Sequence, residues 1–155
     1  MTDWLDLALV YDPATRRCDL VLGDDGDLVL DETPATPMLV SLLSDRRARA
    51  EDTLPDGTVA GAAPAAAIGA RRGWPGDALD AFGRRIGSRL WLLARAKGGD
   101  LTPRFAAEWT REAFAWVRDE TGTAAVVAAE WLRRGWLAIA VTVDGRTVTV
   151  NQRIG

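Results

Sequence analysis

The stretch LAIAVTVDGRTVTV, residues 137–150, decides how the C-terminal part of the chain folds. From Leu137 to Val143 every second residue is a large apolar one, which is the pattern of a strand with one buried face. Asp144-Gly145 follows, and this dipeptide between two alternating runs is the strongest short-range signal for a β-hairpin. A further apolar run precedes the stretch, so we predict an antiparallel meander of three strands over 126–132, 137–143 and 146–150.

Short apolar runs also occur at the N-terminal end, at 5–10, 18–22 and 27–30. Asp12-Pro13 sets up turn geometry after the first run, and Gly23-Asp-Asp-Gly26 supplies residues that tolerate the positive φ values of tight turns. We therefore predict a small N-terminal meander of two or three short strands.

Between these strand regions the apolar period changes to three and four residues, which indicates helices. A first helix is predicted from Thr36 to about Ala50, and a third from Thr102 with Pro103 in its first turn. The strongest helical signal lies between them, with Leu79, Phe82, Ile86, Leu90 and Leu93 at spacings of three and four. The second and third helices should form a central helix hairpin, so the predicted fold class is α+β with three helices.

The segment 51–70 lacks a regular apolar period. It contains Pro55-Asp-Gly57 and an alanine-rich tract at 59–67 that proline and glycine interrupt, so we predict a mobile loop. A chain of 155 residues with 48% hydrophobic content can bury about 70% of its unfolded surface around one core. We expect a single domain over 1–155.

Composition excludes several classes of function. The formal charge is -3, which disfavours a nucleic-acid binder because phosphate contacts need a concentrated positive face. Histidine is absent, so the commonest general base and metal ligand is missing. Cys18 is the single cysteine, which rules out a disulfide framework within one chain. No long apolar run or basic leader occurs, so we expect a soluble protein with no membrane partner. With no histidine and one cysteine, we also expect no cofactor or metal.

The stretch RRGWPGD, residues 71–77, suits neither a helix interior nor a strand. It lies at one end of the 51–70 loop, and Asp45-Arg46-Arg47 lies at the other, so both ends carry cations and carboxylates. An arginine that pairs with a carboxylate and stacks beside Trp74 would fasten the loop ends together or hold a partner chain. The alternative is that Trp74 is an ordinary core residue.

Two catalytic motifs are suggested only superficially. The glycines between Gly69 and Gly76 lack the Gly-Lys-Ser/Thr ending of a phosphate-binding loop. Glu51 and Asp52 could in principle act as the acid and base of glycoside hydrolysis. With 22 carboxylates in the chain, however, accidental pairs are frequent, and we expect these two to be solvated.

Four motifs together resemble a known family: LLSDRRA at 42–48, LPD at 54–56, RRGWPGD at 71–77, and IGSRLWLL at 86–93 followed by Lys97. They are similar to motifs of the small baseplate protein of Mu-like contractile-tailed phages, encoded beside the tail spike. The resemblance implies a wedge component like the sheath initiators of other contractile tails, made in the host cytoplasm and located in the virion baseplate. It also implies six copies, in contact with wedge, hub or spike, and sheath proteins.

Two protein interfaces are predicted within this resemblance. The C-terminal hairpin should be a sheath-facing edge that accepts a strand from another subunit, and its residues are Thr147, Val148, Thr149 and Val150. A wedge-facing knot should comprise Asp45, Arg46, Arg47, Arg71, Arg72, Trp74 and Asp77. Arg89 of the last motif is a further predicted interface residue.

Two other classes of function stay open at the level of sequence. One is a tail-associated, lysozyme-like enzyme that cleaves carbohydrate with a carboxylate. The other is a free-standing binding module in a domesticated tail. We expect no catalytic residue, so the structural protein is the leading interpretation.

Overall fold

A computed structural model describes residues 2–62, 69–95 and 98–155 of the chain, which contain seven strands and three α-helices. Four short strands come first, followed by the helices and then three long strands. In chain order the elements are β1 (Asp6–Leu7), β2 (Leu9–Asp12), β3 (Arg17–Leu20), β4 (Leu30–Asp31), α1 (Ala35–Leu43), α2 (Thr102–Ala113), α3 (Ala115–Thr121), β5 (Val126–Arg133), β6 (Trp136–Val143) and β7 (Arg146–Arg153). The predicted α+β class is confirmed.

The C-terminal sheet has the order β5-β6-β7, with antiparallel pairing throughout, as predicted from the alternating pattern. Leu137, Ile139 and Val141 of the central strand are fully buried, and Val143 is nearly so. Their side chains pack against Met38 of α1 and against residues of all three helices. The sheet therefore provides one wall of the main core, and the helices provide the other.

The N-terminal strands form two small antiparallel pairs, β1 with β4 and β2 with β3. Backbone hydrogen bonds join the pairs, since Ala8 N–H donates to Val29 O and Val21 N–H donates to Ala8 O. The segment also reaches the other end of the chain, where Trp4 Nε1 donates to the Asp144 carboxylate at 3.0 Å. The predicted N-terminal short strands are confirmed.

The first helix ends earlier than predicted, at Leu43 instead of near Ala50. Ser44 adopts an extended conformation, and the chain beyond it runs parallel to residues 86–88. Arg46 N–H donates to Ser88 O, and Ser88 N–H donates to Ser44 O, both at 2.9 Å. Pairing with a distant segment thus replaces the helical hydrogen bonds that local sequence favoured.

The predicted second helix is wrong over most of its length. Residues Pro75–Leu79 and Arg89–Arg95 form short 3₁₀ helices, and the backbone between them is irregular. Gly83 and Gly87 have φ values of 68° and 86°, and left-handed backbone cannot continue a right-handed helix. Leu79 and Phe82, which belong to the apolar stripe of the predicted helix, are 88% and 82% exposed.

The central helix hairpin is therefore replaced by a smaller arrangement. The 3₁₀ helix Arg89–Arg95 packs on α2, and its residues Leu90 and Leu93 enter the main core as predicted. The predicted third helix is divided into α2 and α3 at Phe114, whose side chain is buried.

The loop predicted over 51–70 is structured in its first part. Leu54 N–H donates to Thr58 O, and a 3₁₀ turn follows at Ala60–Ala62. Leu54 and Ala60 are buried in a second apolar cluster with Trp91 and Leu92. Residues 63–68, which include most of the alanine-rich tract at 59–67 of the predicted mobile loop, lie outside the described residues, as does Lys97.

We predict that Gly87→Ala destabilises the chain by at least about 2 kcal/mol, because strained backbone and a steric clash act together. A Cβ at this position would lie 2.4 Å from the backbone oxygen of Ser44, inside the pairing with residues 44–46. Urea unfolding followed by tryptophan fluorescence measures the change.

Gly83→Ala is the matched control, because Gly83 has the same left-handed backbone, while a Cβ added there would meet no described atom within 4 Å. It should cost only the conformational penalty of about 1–2 kcal/mol. Equal losses for the two variants would contradict the role given to the 44–46 pairing.

Candidate functional site

Arg89, one of the predicted interface residues, is a buried arginine that pairs with two carboxylates. This residue is only 5% exposed. Nη1 donates to the Asp52 carboxylate at 2.7 Å, and Nε and Nη2 donate to one oxygen of Glu112 at 3.0 and 2.6 Å. The guanidinium carbon lies 5.2 Å from the ring centre of Trp109 on the same helix as Glu112. This single side chain therefore joins the 3₁₀ helix, the segment after α1, and α2.

Glu112 accepts from two further arginines. Its second carboxylate oxygen accepts from Arg49 Nη2 at 2.8 Å, and its backbone carbonyl accepts from Arg46 Nη1 at 3.0 Å. Burial raises the pKa of Glu112, but hydrogen bonds from Arg89 and Arg49 outweigh burial and hold it below its ordinary value. Burial also lowers the pKa of Arg46, although Glu112 opposes that change. We call the set Arg46, Arg49, Asp52, Arg89 and Glu112 the arginine cluster.

A second, more exposed pair lies beside the arginine cluster. Arg72 Nη1 donates to the Asp45 carboxylate at 2.7 Å, and its guanidinium carbon lies 4.6 Å from the ring centre of Trp91. Trp91 is buried and donates from Nε1 to Arg46 O at 2.8 Å. An arginine thus pairs with a carboxylate and stacks on an aromatic ring, as predicted for the loop ends, but the ring belongs to Trp91 and not to Trp74.

The two ends of the 51–70 loop are fastened by hydrogen bonds between Ala48 and Arg71, from both the side chain and the backbone of Arg71. Arg71 Nε donates to Ala48 O at 2.9 Å, and Ala48 N–H donates to Arg71 O at 2.9 Å. Gly73 has a φ of 98° and lies so close to Arg47 that a Cβ would meet the Arg47 side chain at 2.7 Å. The structure therefore brings together Asp45, Arg46, Arg71, Arg72 and Arg89, whereas the side chain of Arg47 is exposed.

Trp74 and Asp77 lie apart from the arginine cluster, in a groove between α1 and the irregular segment. The groove has a volume of about 400 Å³ and includes Val40, Ile86 and Trp116 in its lining. Trp74 is 55% exposed, so the alternative that it is a core residue is wrong. One Asp77 oxygen accepts from Ile86 N–H at 3.0 Å, and the other is buried without a hydrogen-bond partner among the described residues.

The four hairpin residues lie on β7, an edge strand of the C-terminal sheet. Ile154 N–H donates to Gly135 O just beyond the strand ends. Hydrogen-bonded and non-hydrogen-bonded pairs alternate in an antiparallel ladder, so this bond identifies which residues of β7 bond to β6. The backbone groups of Val148 and Val150 consequently face β6, while those of Thr147, Thr149 and Asn151 face away from it. Tyr11 lies near the outer side, where burial raises its pKa and the Asn151 backbone amide lowers it.

Sequence reasoning missed the carboxylates of the arginine cluster. Asp52, expected to be solvated, has a side chain only 10% exposed, and Glu112 was not singled out. One signal was available in the sequence. Glu112 directly precedes Ala113 and Phe114, two apolar residues that are buried, so this acidic residue borders the buried side of α2. Trp91 belongs to the motif at 86–93, and Trp109 lies in the predicted third helix. Nothing in the sequence around either tryptophan indicated that an arginine would contact it.

The arginine cluster is suited to holding elements together and poorly suited to acid catalysis. A catalytic acid of the glycosidase type needs a raised pKa, whereas the pKa of Glu112 is lowered. Within the described ranges, no group of three or more potential ligands could hold a metal ion. In the same part of the chain, no helix is both long and apolar enough to cross a membrane.

We predict that Arg89→Ala destabilises the chain by about 3–5 kcal/mol, because it leaves the Asp52 carboxylate without its cation and removes two hydrogen bonds from Glu112. Arg111→Ala is the matched control on α2, since Arg111 forms an exposed pair with Glu108 at 3.4 Å. Its loss should cost less than about 1 kcal/mol. Urea unfolding of both variants checks the difference, and a loss below about 1 kcal/mol for Arg89→Ala would show that the arginine cluster is not a structural centre.

We also predict that Glu112 contributes to acid sensitivity. Because its folded-state pKa is below the ordinary value of 4.5, the unfolded chain binds more protons in the acid range. The stability that Glu112 contributes is fully present above about pH 4.5 and is lost as the pH falls through its folded-state pKa.

In Glu112→Gln that contribution is absent at every pH. The gap in unfolding free energy between the natural chain and Glu112→Gln should therefore shrink as the pH falls from about 7 toward about 3, in urea titrations at each pH. Glu108→Gln, which alters an exposed pair, is the control and should follow the natural chain. A gap independent of pH would contradict the assignment.

Comparison with known proteins gives a consistent result. A family model described as "Phage protein GP46" matches residues 34–149. "Baseplate protein gp46" of Escherichia phage Mu is 38% identical over 148 residues, which cover 92% of this chain and 91% of that protein. "Mu-like prophage FluMu protein gp46" of Haemophilus influenzae is 30% identical over 115 residues, which cover 74% and 67%.

No solved structure matches the chain. The family model nevertheless covers more than half of it, and the resemblance to Mu-like phages that the four motifs indicated is confirmed. The chain belongs to the phage protein GP46 family.

Proposed function

We propose that the chain is a structural component of a contractile phage tail or a phage-derived tail. Its place is the virion tail baseplate, where the relative from phage Mu is named as a baseplate protein. It acts through two surfaces, the outer edge of β7 and the exposed part of the predicted knot, and bridges hub and wedge proteins to the first ring of sheath. The single observation that carries this proposal is the unpaired outer edge of β7.

The edge is suited to accepting a strand. Thr147 and Thr149 are exposed, and their backbone N–H and C=O groups face away from β6. Val148 and Val150 point into the core, so a strand can be added without disturbing the packing. Tyr11 lies against the edge at Asn151, which leaves the part nearer the β6–β7 turn for a partner. We assign that part to the sheath.

The exposed members of the knot are Arg47, Arg72 and Trp74, with Asp45 partly exposed beside Arg72. They continue along the chain into Leu79 and Phe82, two large apolar side chains that are almost fully exposed. A stable protein rarely exposes such residues together unless a partner covers them. Arg89, Arg46 and Arg71 lie behind this surface and hold its backbone in place, so we assign the surface to the wedge proteins and the buried arginines to its support.

The other partners follow from the family and from composition. Hub or spike proteins and six copies per baseplate are what the resemblance to contractile-tail wedge components implies. A formal charge of -3 argues against a nucleic-acid partner, and we assign no membrane partner. In this proposal the chain is not an enzyme, because the two carboxylates of the arginine cluster, Asp52 and Glu112, are held by arginines. Sustained cell-wall cleavage by the purified chain, abolished by one carboxylate substitution, would overturn that assignment.

We predict that Thr149→Pro leaves the chain folded and prevents tail assembly. Proline at this position removes only an N–H that faces away from β6, and edge strands tolerate proline there. Particles produced from the chain's own tail gene cluster, counted by electron microscopy, measure assembly, and urea unfolding measures the fold.

Two variants at the same strand serve as controls. Thr149→Val keeps the N–H and should assemble normally. Val148→Pro removes a hydrogen bond to β6 and should lower the urea midpoint. Normal assembly by folded Thr149→Pro would rule out the edge as the sheath contact.

The wedge surface is tested in the same assay with Trp74→Ala. Trp74 is more than half exposed, so the variant should remain folded, and loss of particles would then be due to a lost contact. Normal particle numbers would remove Trp74 from the interface without affecting the assignment of β7.

A further inference from the structure

We infer that the N-terminal strands carry a docking surface for a segment of another protein that combines apolar and basic residues. The surface, which we call the leucine face, consists of Leu7, Leu9, Leu20, Leu22, Leu28 and Leu30. It does not include the residues assigned to the wedge or the sheath, so it stands independently of those assignments.

Strand register places these leucines in three cross-strand pairs. Leu9 is paired with Leu20, Leu7 with Leu30, and Leu22 with Leu28. Cross-strand partners point to the same face of an antiparallel pair. The three pairs lie around one junction, where Ala8, Val21 and Val29 are joined by backbone hydrogen bonds, so the leucines are close neighbours on this part of the surface.

The leucine face is turned largely to solvent. Leu22 is 68% exposed and Leu30 is 59% exposed, and Leu7 and Leu20 are also exposed. Leu9 and Leu28 are half-buried at the base of the surface. Leu5, which precedes β1, extends the exposed apolar area. A contiguous group of leucines on short strands indicates a contact with another molecule, since solvent contact gives no benefit to any of them.

The charge around the leucine face identifies the kind of partner. Residues 1–33 contain nine carboxylates and two arginines, a formal charge of -7, whereas residues 34–155 contain 13 carboxylates and 17 basic residues, a formal charge of +4. Asp24, Asp25 and Asp27 lie in the turn that joins Leu22 to Leu28. Such a field attracts a basic partner and repels nucleic acid and anionic lipid.

The carboxylates that border the leucine face are those of the turn. Asp24, Asp25 and Asp27 lie between Leu22 and Leu28, at one end of the surface. Asp6 and Asp31, although directly opposite each other in the β1–β4 pair, point to the other face from Leu7 and Leu30, because side chains alternate along a strand. In the described part of the chain none of the three turn carboxylates forms an ion pair, so they can accept a cation from a partner. We therefore commit to a partner segment in which lysine or arginine alternates with large apolar residues.

Binding of the full chain to short immobilised peptides tests the inference. The probe is a peptide of alternating leucine and lysine, and the comparison peptides alternate leucine with glutamate and serine with lysine. The chain should bind the leucine-lysine peptide best, and added salt should weaken binding because part of the attraction is electrostatic. Equal binding of the leucine-glutamate peptide would overturn the proposed chemistry.

The location is tested with a double variant, Leu22→Asn with Leu30→Asn, which should weaken binding about tenfold or more because two buried contacts are lost. Leu79→Asn with Phe82→Asn is the matched control, since it removes two exposed apolar residues outside the leucine face. If the control weakens binding as much, the inference is wrong. Self-association that the leucine variant abolishes would also overturn it, because the occupant would then be a second copy of this chain.

A second variant distinguishes a lost contact from a lost fold. Asp24→Asn with Asp25→Asn removes two charges from the exposed turn but keeps a side-chain oxygen at each position, so the urea midpoint should change little while the affinity for the leucine-lysine peptide falls. Unchanged affinity would exclude these two carboxylates from the contact and, with them, the partner's cation that the inference requires.

Discussion

The arrangement of this molecule depends on one buried cation. Arg89 has its three donor nitrogens on two carboxylates that come from opposite sides, Asp52 from the segment after α1 and Glu112 from α2. Burying an isolated charge is costly, and burying it with well-placed partners recovers most of that cost. The geometry is therefore strongly selective, because any other packing of the three segments would leave a charge without its partner.

This selectivity explains why irregular backbone is stable here. Between α1 and α2 the chain forms no long helix or strand among the described residues, yet the second apolar cluster and the arginine cluster give it fixed positions. Trp109 contacts both apolar clusters, and Trp91 joins the second cluster to Arg46 and Arg72. Ionic and aromatic contacts thus hold the backbone of this region in place, whereas hydrogen-bond ladders hold the strands of the C-terminal sheet. A surface formed by such backbone can have a shape that regular elements do not offer.

Local pattern predicted the parts of the fold that local interactions determine. Leu137 to Val143 alternates strictly, and its hairpin turn is encoded in two residues, so the sheet and its buried face were predicted correctly. Leu79, Phe82 and Ile86 have an equally good helical period, but Gly87 adopts left-handed backbone where residues 44–46 pair beside it, and Gly83 adopts it in a turn that Asp80 closes. That pairing is long-range and leaves no local signal. The same limit applied to the site: the arginines were visible as motifs, while their partners Asp52, Glu112 and Trp91 are brought to them only by the tertiary fold.

The bond between Trp4 and Asp144 joins residues that are 140 positions apart. During translation Trp4 leaves the ribosome long before Asp144 is made, so the N-terminal segment at first lacks its contact with the C-terminal hairpin. The two ends of the chain can be joined only after synthesis of the last hairpin, and contacts of such large sequence separation form slowly. The newly made protein therefore passes through a stage in which the N-terminal segment has not yet met the β6–β7 turn, and Trp4 lacks this hydrogen bond until that turn has been made.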